Sequence, residues 1–411
     1  MDPLLRNVRS RQQLSLPVAF AAVAAAIGVA LFASATPSPL YGVYQARWHF
    51  STLVLTLVYG VYAIGVLSSL VLVGGLSDQT GRRPVLVGAL LALLVSMGVF
   101  VAADSVAWLF VARAIQGLAT GALLGAAGAA LIDLHPRGDT RQAALVNGFA
   151  STAGIGGGAL VSSAMVRFLP AQRVIPFVLV AMLIVALLWA LRVLPEPVAR
   201  TTRVRLRPQS PSVPAATRGA FLLAALGVLA SWSIGGLYLA LGPALAGALL
   251  HTHSELAGGA AVAALSLPAG LAQLAGRGLS NRALTAGGAL LLALGMSLTA
   301  AALSGGSALL FLLATAVAGV GFGLAFMGAL RHLTSAIPDG RRGGVMSAFY
   351  VVAYLAISLP AVAAGLAAPG LGLVDTFQVF SLGVVVLALL VAAGGLRIEA
   401  SVSSAASVSP T

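Results

Sequence analysis

The chain has 411 residues, 59% of them hydrophobic and 8% charged, against about a quarter charged in soluble proteins. So few charges cannot cover a water-facing surface, and a mean hydropathy of +1.02 makes lipid the natural solvent for most of the chain. The net charge of +13 rests on 23 arginines and no lysine, and the absence of cysteine excludes disulfides, thiolate metal sites and cysteine nucleophiles.

A basic segment, 1–15, leads into the first apolar run at 16–36. Ala33-Ser34-Ala35 has the form of a cleavage site, but the run is longer than a signal-peptide core, and cleavage would leave an odd set of spans. Further runs follow at 53–75, 84–103, 106–132, 143–166 and 174–194, each near the ~20 residues needed to cross a bilayer. The longest hydrophilic stretch, 195–218, carries four arginines before Arg218 and prolines 208, 211 and 214, and reads as a flexible cytoplasmic linker. Six more runs occupy 219–249, 256–275, 283–303, 307–330, 344–367 and 375–395. The first of these is long and predicts a break near Gly242-Pro243, because proline removes a backbone donor. The Ser/Ala/Val-rich end, 396–411, predicts a disordered tail. The whole predicts an all-α integral membrane protein, with twelve transmembrane helices in two pseudo-symmetric six-helix bundles, 16–194 and 219–395.

Arginine placement sets the orientation. With the N-terminus inside, 19 arginines fall in inner segments, only Arg47, Arg167 and Arg173 fall outside, and Arg113 lies within a span. That bias predicts both termini in the cytoplasm. It also assigns the basic charge to membrane loops rather than to nucleic acid. A weak repeat at an offset of 200 pairs Asp139, Arg141 and Phe149 with Asp339, Arg341 and Phe349, each set at the start of the fifth span of its half.

Between the second and third spans lies Gly74-Gly75-Leu76-Ser77-Asp78-Gln79-Thr80-Gly81-Arg82-Arg83. Gly74 stands one helical turn before Asp78, and Gly81 permits a tight turn ahead of Arg82 and Arg83. A plain basic turn accounts for the arginines but not for the full spacing. Within the fourth span, Arg113-Ala114-Ile115-Gln116-Gly117 places a cation among apolar neighbours, at about 2.5–3.5 kcal/mol for an arginine near the membrane centre. Arg113 either faces a polar partner or snorkels to the headgroups; Gln116 and Thr120 continue the same helical face.

The loop spacing Gly-x-Leu-x-Asp-x-x-Gly-Arg-Arg resembles the signature loop of the major facilitator superfamily. Arg113-x-x-Gln116-Gly117 resembles a second element of that family, and Pro37-Ser38-Pro39-Leu40-Tyr41 is also similar to many members. The likeness covers 16–395, though the strong motifs lie in the first half. It implies a latch made of Gly74, Asp78, Gly81, Arg82, Arg83 and Asp133. In that latch Asp78 would face the N-terminal end of the eleventh helix near Gly343-Gly344, and Arg82 would pair with Asp133. It further implies alternating access between the two bundles.

The remaining polar span residues suggest a pathway. Tyr59, Tyr62 and Thr56 lie in the second span; Asn147, Ser151 and Thr152 in the fifth; Ser231, Trp232, Ser233 and Tyr238 in the seventh; Gln273 in the eighth; Tyr350 and Tyr354 in the eleventh. Singly, such residues bind helices together more often than they touch a substrate. Together with Arg113 and Gln116, the set of Tyr59, Asn147, Trp232, Tyr238, Tyr350 and Tyr354 predicts an amphipathic path for an uncharged or partly aromatic solute. The fifth span has the glycine clustering of drug exporters, at Gly148, Gly154 and Gly156 to Gly158, but lacks their Gly-Pro pair. No ionisable carboxylate or histidine lies deep in a span. Asp133, Glu255, Asp375, His251 and His253 sit at span ends.

No nucleotide loop, metal cluster or nucleophile–base–acid grouping is visible, so the sequence predicts neither an enzyme nor a cofactor or metal. The reading is a monomeric secondary transporter in the bilayer of a bacterial cytoplasmic membrane, exporting a small amphipathic molecule against protons. Its alternatives are an uptake symporter or facilitator for a sugar or metabolite, and a transporter-like sensor that moves nothing.

Overall fold

The structure, a computed structural model, describes residues 14–73, 75–198, 211–249, 255–338 and 342–406. Gly74, His251, His253, Asp339 and Arg341 lie outside them, as do the first thirteen residues and half of the linker, 199–210.

The first half contains α1 (Leu16–Ala35), α2 (Tyr41–Trp48), α3 (Thr52–Val73), α4 (Leu76–Thr80), α5 (Arg82–Ala102), α6 (Val106–Asp133), α7 (Thr140–Phe168) and α8 (Ile175–Leu191). The second contains α9 (Arg218–Leu249), α10 (Glu255–Ala275), α11 (Gly288–Ser304), α12 (Ala308–Ser335), α13 (Arg342–Leu371) and α14 (Leu373–Ala406). Among the described residues, eleven helices are long and apolar enough to cross a membrane. The twelfth, α8, has 17 residues and spans about 26 Å. The short helices α2 and α4 are amphipathic connectors.

Local chemistry starts and stops these helices. Pro17 and Pro176 sit in first turns, where a missing N–H costs nothing. The Asp139 carboxylate accepts from the Gln142 N–H at 2.9 Å at the start of α7, and that bond holds its carboxyl below the usual carboxylate range. Gly372, at φ 85°, makes the turn from α13 to α14.

Two elements differ from the sequence expectation. The break near Gly242-Pro243 is absent: α9 runs unbroken through Pro243. Proline there removes the donor for the Leu239 carbonyl, and the Ser38 hydroxyl donates to that carbonyl instead at 2.5 Å. The replacement partner comes from the other half of the molecule. In addition, α14 continues to Ala406, over much of the segment 396–411 expected as a coil; no glycine or proline interrupts the chain between Gly395 and Pro410.

Within the first half, α6 packs against α3 and α5, and α1 packs against α7. Within the second, α12 packs against α11 and α10, and α9 against α13 and α14. The halves meet along two seams, α7 with α10 and α3 with α13. Small residues set the first seam. A Cβ at Gly156 would stand 2.9 Å from Leu267 Cγ, so only glycine lets α10 approach there.

Candidate functional site

Two polar clusters stand out, one at the arginine-rich end and one deep in the first half. At the arginine-rich end the backbone turns at Gly81, with φ 99° and ψ 154°. This turn sets Arg82 and Arg83 at the start of α5. Arg82 Nε donates to Asp133 Oδ2 at 2.8 Å, and its Nη1 donates to Ser77 Oγ at 2.8 Å and to Asp78. Both ion pairs among the described residues therefore belong to Arg82. The two bonds to carboxylates hold the guanidinium across the ends of α4 and α6.

Glu196, just past α8, completes this cluster. Its carboxylate accepts from the Arg82 N–H at 2.8 Å and the Arg83 N–H at 3.0 Å. Those N–H groups are orphan donors at the positive end of α5, where an anion is favoured. Sequence reasoning left Glu196 unremarked at the start of the linker. Its only signal was an isolated acid in a basic stretch.

The partner that the structure gives Asp78 lies on its own loop. The Asp78 side chain is 60% exposed, and its carboxylate turns to Arg82, one turn away on the same loop. The Gly344 carbonyl, in the first turn of α13, accepts from the Ser212 N–H at 3.1 Å. The halves are joined at this end by different residues. The Arg277 carbonyl, after α10, accepts from Arg141 of the first half and from Arg331 Nη2 of the second at 3.3 Å.

The deep cluster forms around Arg113 on α6, which is 1% exposed and does not snorkel. Its origin lies in the prolines after α1. Pro37 cannot donate to the Ala33 carbonyl, and the Ser38 N–H turns to Ala35, leaving the Ser34 carbonyl free. Gln116 Nε2 donates to Ala33 O at 2.9 Å, and Arg113 Nη1 donates to Ser34 O at 2.8 Å. Arg113 also donates to Gln116 Oε1 at 2.5 Å and twice to the Tyr41 hydroxyl, from Nε at 2.8 Å and from Nη2 at 2.5 Å. Bonds from a charged donor contribute about 1.5–3 kcal/mol each, so four of them exceed the insertion cost of the arginine. Three tyrosine rings surround the cation, with centroids 5.5 Å (Tyr41), 5.9 Å (Tyr59) and 5.3 Å (Tyr62) from Cζ.

Tyr62 links this cage to the second half. It packs with Ala63, Val66 and Tyr354, alongside Trp232, Tyr350 and Ile357. The Trp232 ring lies 5.5 Å from those of Tyr354 and Phe326. Thus Arg113, Gln116, Tyr59, Trp232, Tyr350 and Tyr354 come together through Tyr62 where the two halves meet. Tyr238 and Asn147 do not join them. Tyr238 is buried in the second half, its hydroxyl 2.7 Å from Thr315 Oγ1 and its ring beside Phe311 and Phe377, so it is a core residue rather than a pathway one. Asn147 lies on α7 near Gly128 of α6.

Two helical halves, seamed along two helix pairs and sharing an aromatic and cationic centre, define a polytopic membrane protein of the secondary transporter class. The sequence matches the Major Facilitator Superfamily over residues 18–361, and the chain belongs to that family. No curated protein sequence matches it. Among solved structures it is similar to the human organic anion transporter MFSD10 (TETRAN), with 19% identity and a TM-score of 0.64, over 92% of this chain and 100% of that one. It is also similar to a POT family transporter in complex with 5-aminolevulinic acid, with 14% identity and a TM-score of 0.70, over 93% of this chain and 96% of that one. At these identities the likeness shows the fold.

Proposed function

We propose that the chain exports a small amphipathic organic solute by alternating access of its two halves, in exchange for protons, from a cytoplasm that holds both termini. The observation that carries this reading is the meeting of Arg113, Tyr59 and Tyr62 from one half with Trp232, Tyr350 and Tyr354 from the other. Such a centre offers an apolar, aromatic surface with few polar groups, as small-molecule sites do. An organic anion transporter and a POT family transporter in complex with 5-aminolevulinic acid share the fold, which supports a small organic solute.

The arginine-rich end serves as the latch. Asp78, Arg82, Arg83 and Asp133 brace the loop on Gly81, while the Arg277 carbonyl ties Arg141 to Arg331 across the halves. Proton exchange runs through a span end, because the described carboxylates Asp78, Asp104, Asp133, Asp139, Glu196 and Asp375 all lie at or beyond helix ends. Asp133, 30% exposed beside Arg82, is the candidate carrier. The test is solute flux in vesicles with an imposed pH gradient, after a screen of dyes, drugs and metabolites. Outward flux that rises with the gradient supports the proposal. Flux indifferent to it removes the proton exchange, and purely inward accumulation reverses the direction.

A further inference from the structure

The two buried arginines are neutralised differently. Arg82 is 8% exposed and binds two carboxylates. Arg113 is more deeply buried, yet every partner it has is neutral: Tyr41, Ser34 O and Gln116. No described carboxylate lies within 4.0 Å of it. A guanidinium has five N–H donors and keeps its charge in proteins. Four are used by these bonds, which leaves one on Nη2. Tyr59, whose ring centroid lies 5.9 Å from Arg113 Cζ, carries a buried hydroxyl without a hydrogen-bond partner. A cation without a counter-ion and an unpaired hydroxyl donor on a ring of the same cage are costly on their own, but together they form a recognition set for a carboxylate. In the cluster that holds Tyr62 and Tyr354, the Trp232 indole N–H is likewise unpaired, and its ring meets Tyr354 edge to face and Phe326 at a tilt.

We infer that the Arg113 cage binds the anionic group of the transported solute, which is a small organic acid with an apolar or aromatic body. The carboxylate takes the free Nη2 donor of Arg113 and the Tyr59 hydroxyl, and the body of the molecule lies toward Trp232. This rests on the transport reading and narrows its amphipathic solute to an acid. It also gives Arg113 a second task, since its other donors already fasten the end of α1.

The test is binding of phenylacetate, 4-phenylbutyrate and octanoate, each against its primary amide, to the full chain in lipid nanodiscs. Acids should bind saturably and about tenfold or more tighter than their amides, the step expected for a hydrogen bond from a charged donor. Arg113→Gln should remove that preference, although it also frees the Ser34 carbonyl and risks the fold. Tyr59→Phe avoids that risk, because the hydroxyl it deletes has no partner to lose. It should weaken the acids by about two- to tenfold, leave the amides unchanged and leave the apparent melting temperature the same or higher. If no acid binds, if no pair shows a preference for the acid, or if Tyr59→Phe leaves acid affinity unchanged, the inference is overturned. Vesicle flux of neutral solutes without acid binding would overturn it while leaving transport intact; acid binding without any flux would do the reverse.

Discussion

Replacing Gly81 with alanine probes how the loop between α4 and α5 is held. Its backbone, at φ 99° and ψ 154°, occupies a region essentially closed to residues with a side chain, at about 1–3 kcal/mol. The added methyl would also stand 2.5 Å from Glu196 Oε2 and 2.7 Å from its Cδ. Glu196 must withdraw, and with it the bonds to the Arg82 and Arg83 N–H groups. Each such charged bond contributes about 1.5–3 kcal/mol, and partial loss of the pair together with the backbone strain gives a total near 2–5 kcal/mol. Reversible unfolding in mixed micelles, titrated with a denaturing detergent, measures this directly. A double-mutant cycle with Glu196→Ala separates the two causes. In that background the clash is gone and only the backbone strain remains, so the penalty should fall by about 1–3 kcal/mol. Penalties that add to within about 0.5 kcal/mol would refute the claim that Gly81 is required for Glu196 to cap α5.

Asp133→Asn, which takes the charge from the acceptor 2.8 Å from Arg82 Nε, should destabilise by about 1–3 kcal/mol, whereas Asp78→Asn, at a largely exposed carboxylate, should cost about 0–1 kcal/mol in the same titration. Asp78→Asn should nevertheless slow flux in vesicles, and unaltered flux would remove it from the latch. Gly156→Val forces α7 and α10 apart where a Cβ already meets Leu267 at 2.9 Å; it should reduce flux with insertion preserved, and full activity would show that the seam tolerates the gap. Ser38→Ala and Pro243→Ala should be non-additive, since both act on the Leu239 carbonyl; the restored N–H of the second replaces the bond lost in the first. Independent effects in detergent unfolding would disprove that link.

The spans were legible because apolar runs of membrane length announce themselves. Arg113 was legible as an anomaly, a cation in a span; that it and Gln116 serve the carbonyls freed by Pro37 depends on how α6 lies against α1. Glu196 was illegible because its partners are more than 110 residues earlier, and nothing local marks a cap built across that distance. Tyr238 was misplaced for a related reason. Composition marks a tyrosine as polar, but its neighbours Phe311, Thr315 and Phe377 come from two other helices, and only packing makes it core. Likewise, proline predicted a break in α9 that a serine from the opposite half prevents.

The account stands on two halves that rock about a shared centre, and the cysteine-free sequence allows that to be read with introduced labels. Spin labels at Arg137→Cys with Ser335→Cys report the arginine-rich end, and Gln172→Cys with Ser304→Cys report the opposite end, all at exposed positions. Paired-spin distance measurements in nanodiscs, with and without a transported solute, should show one distance lengthening as the other shortens. Distances that stay fixed, or that change together in the same direction, would contradict it.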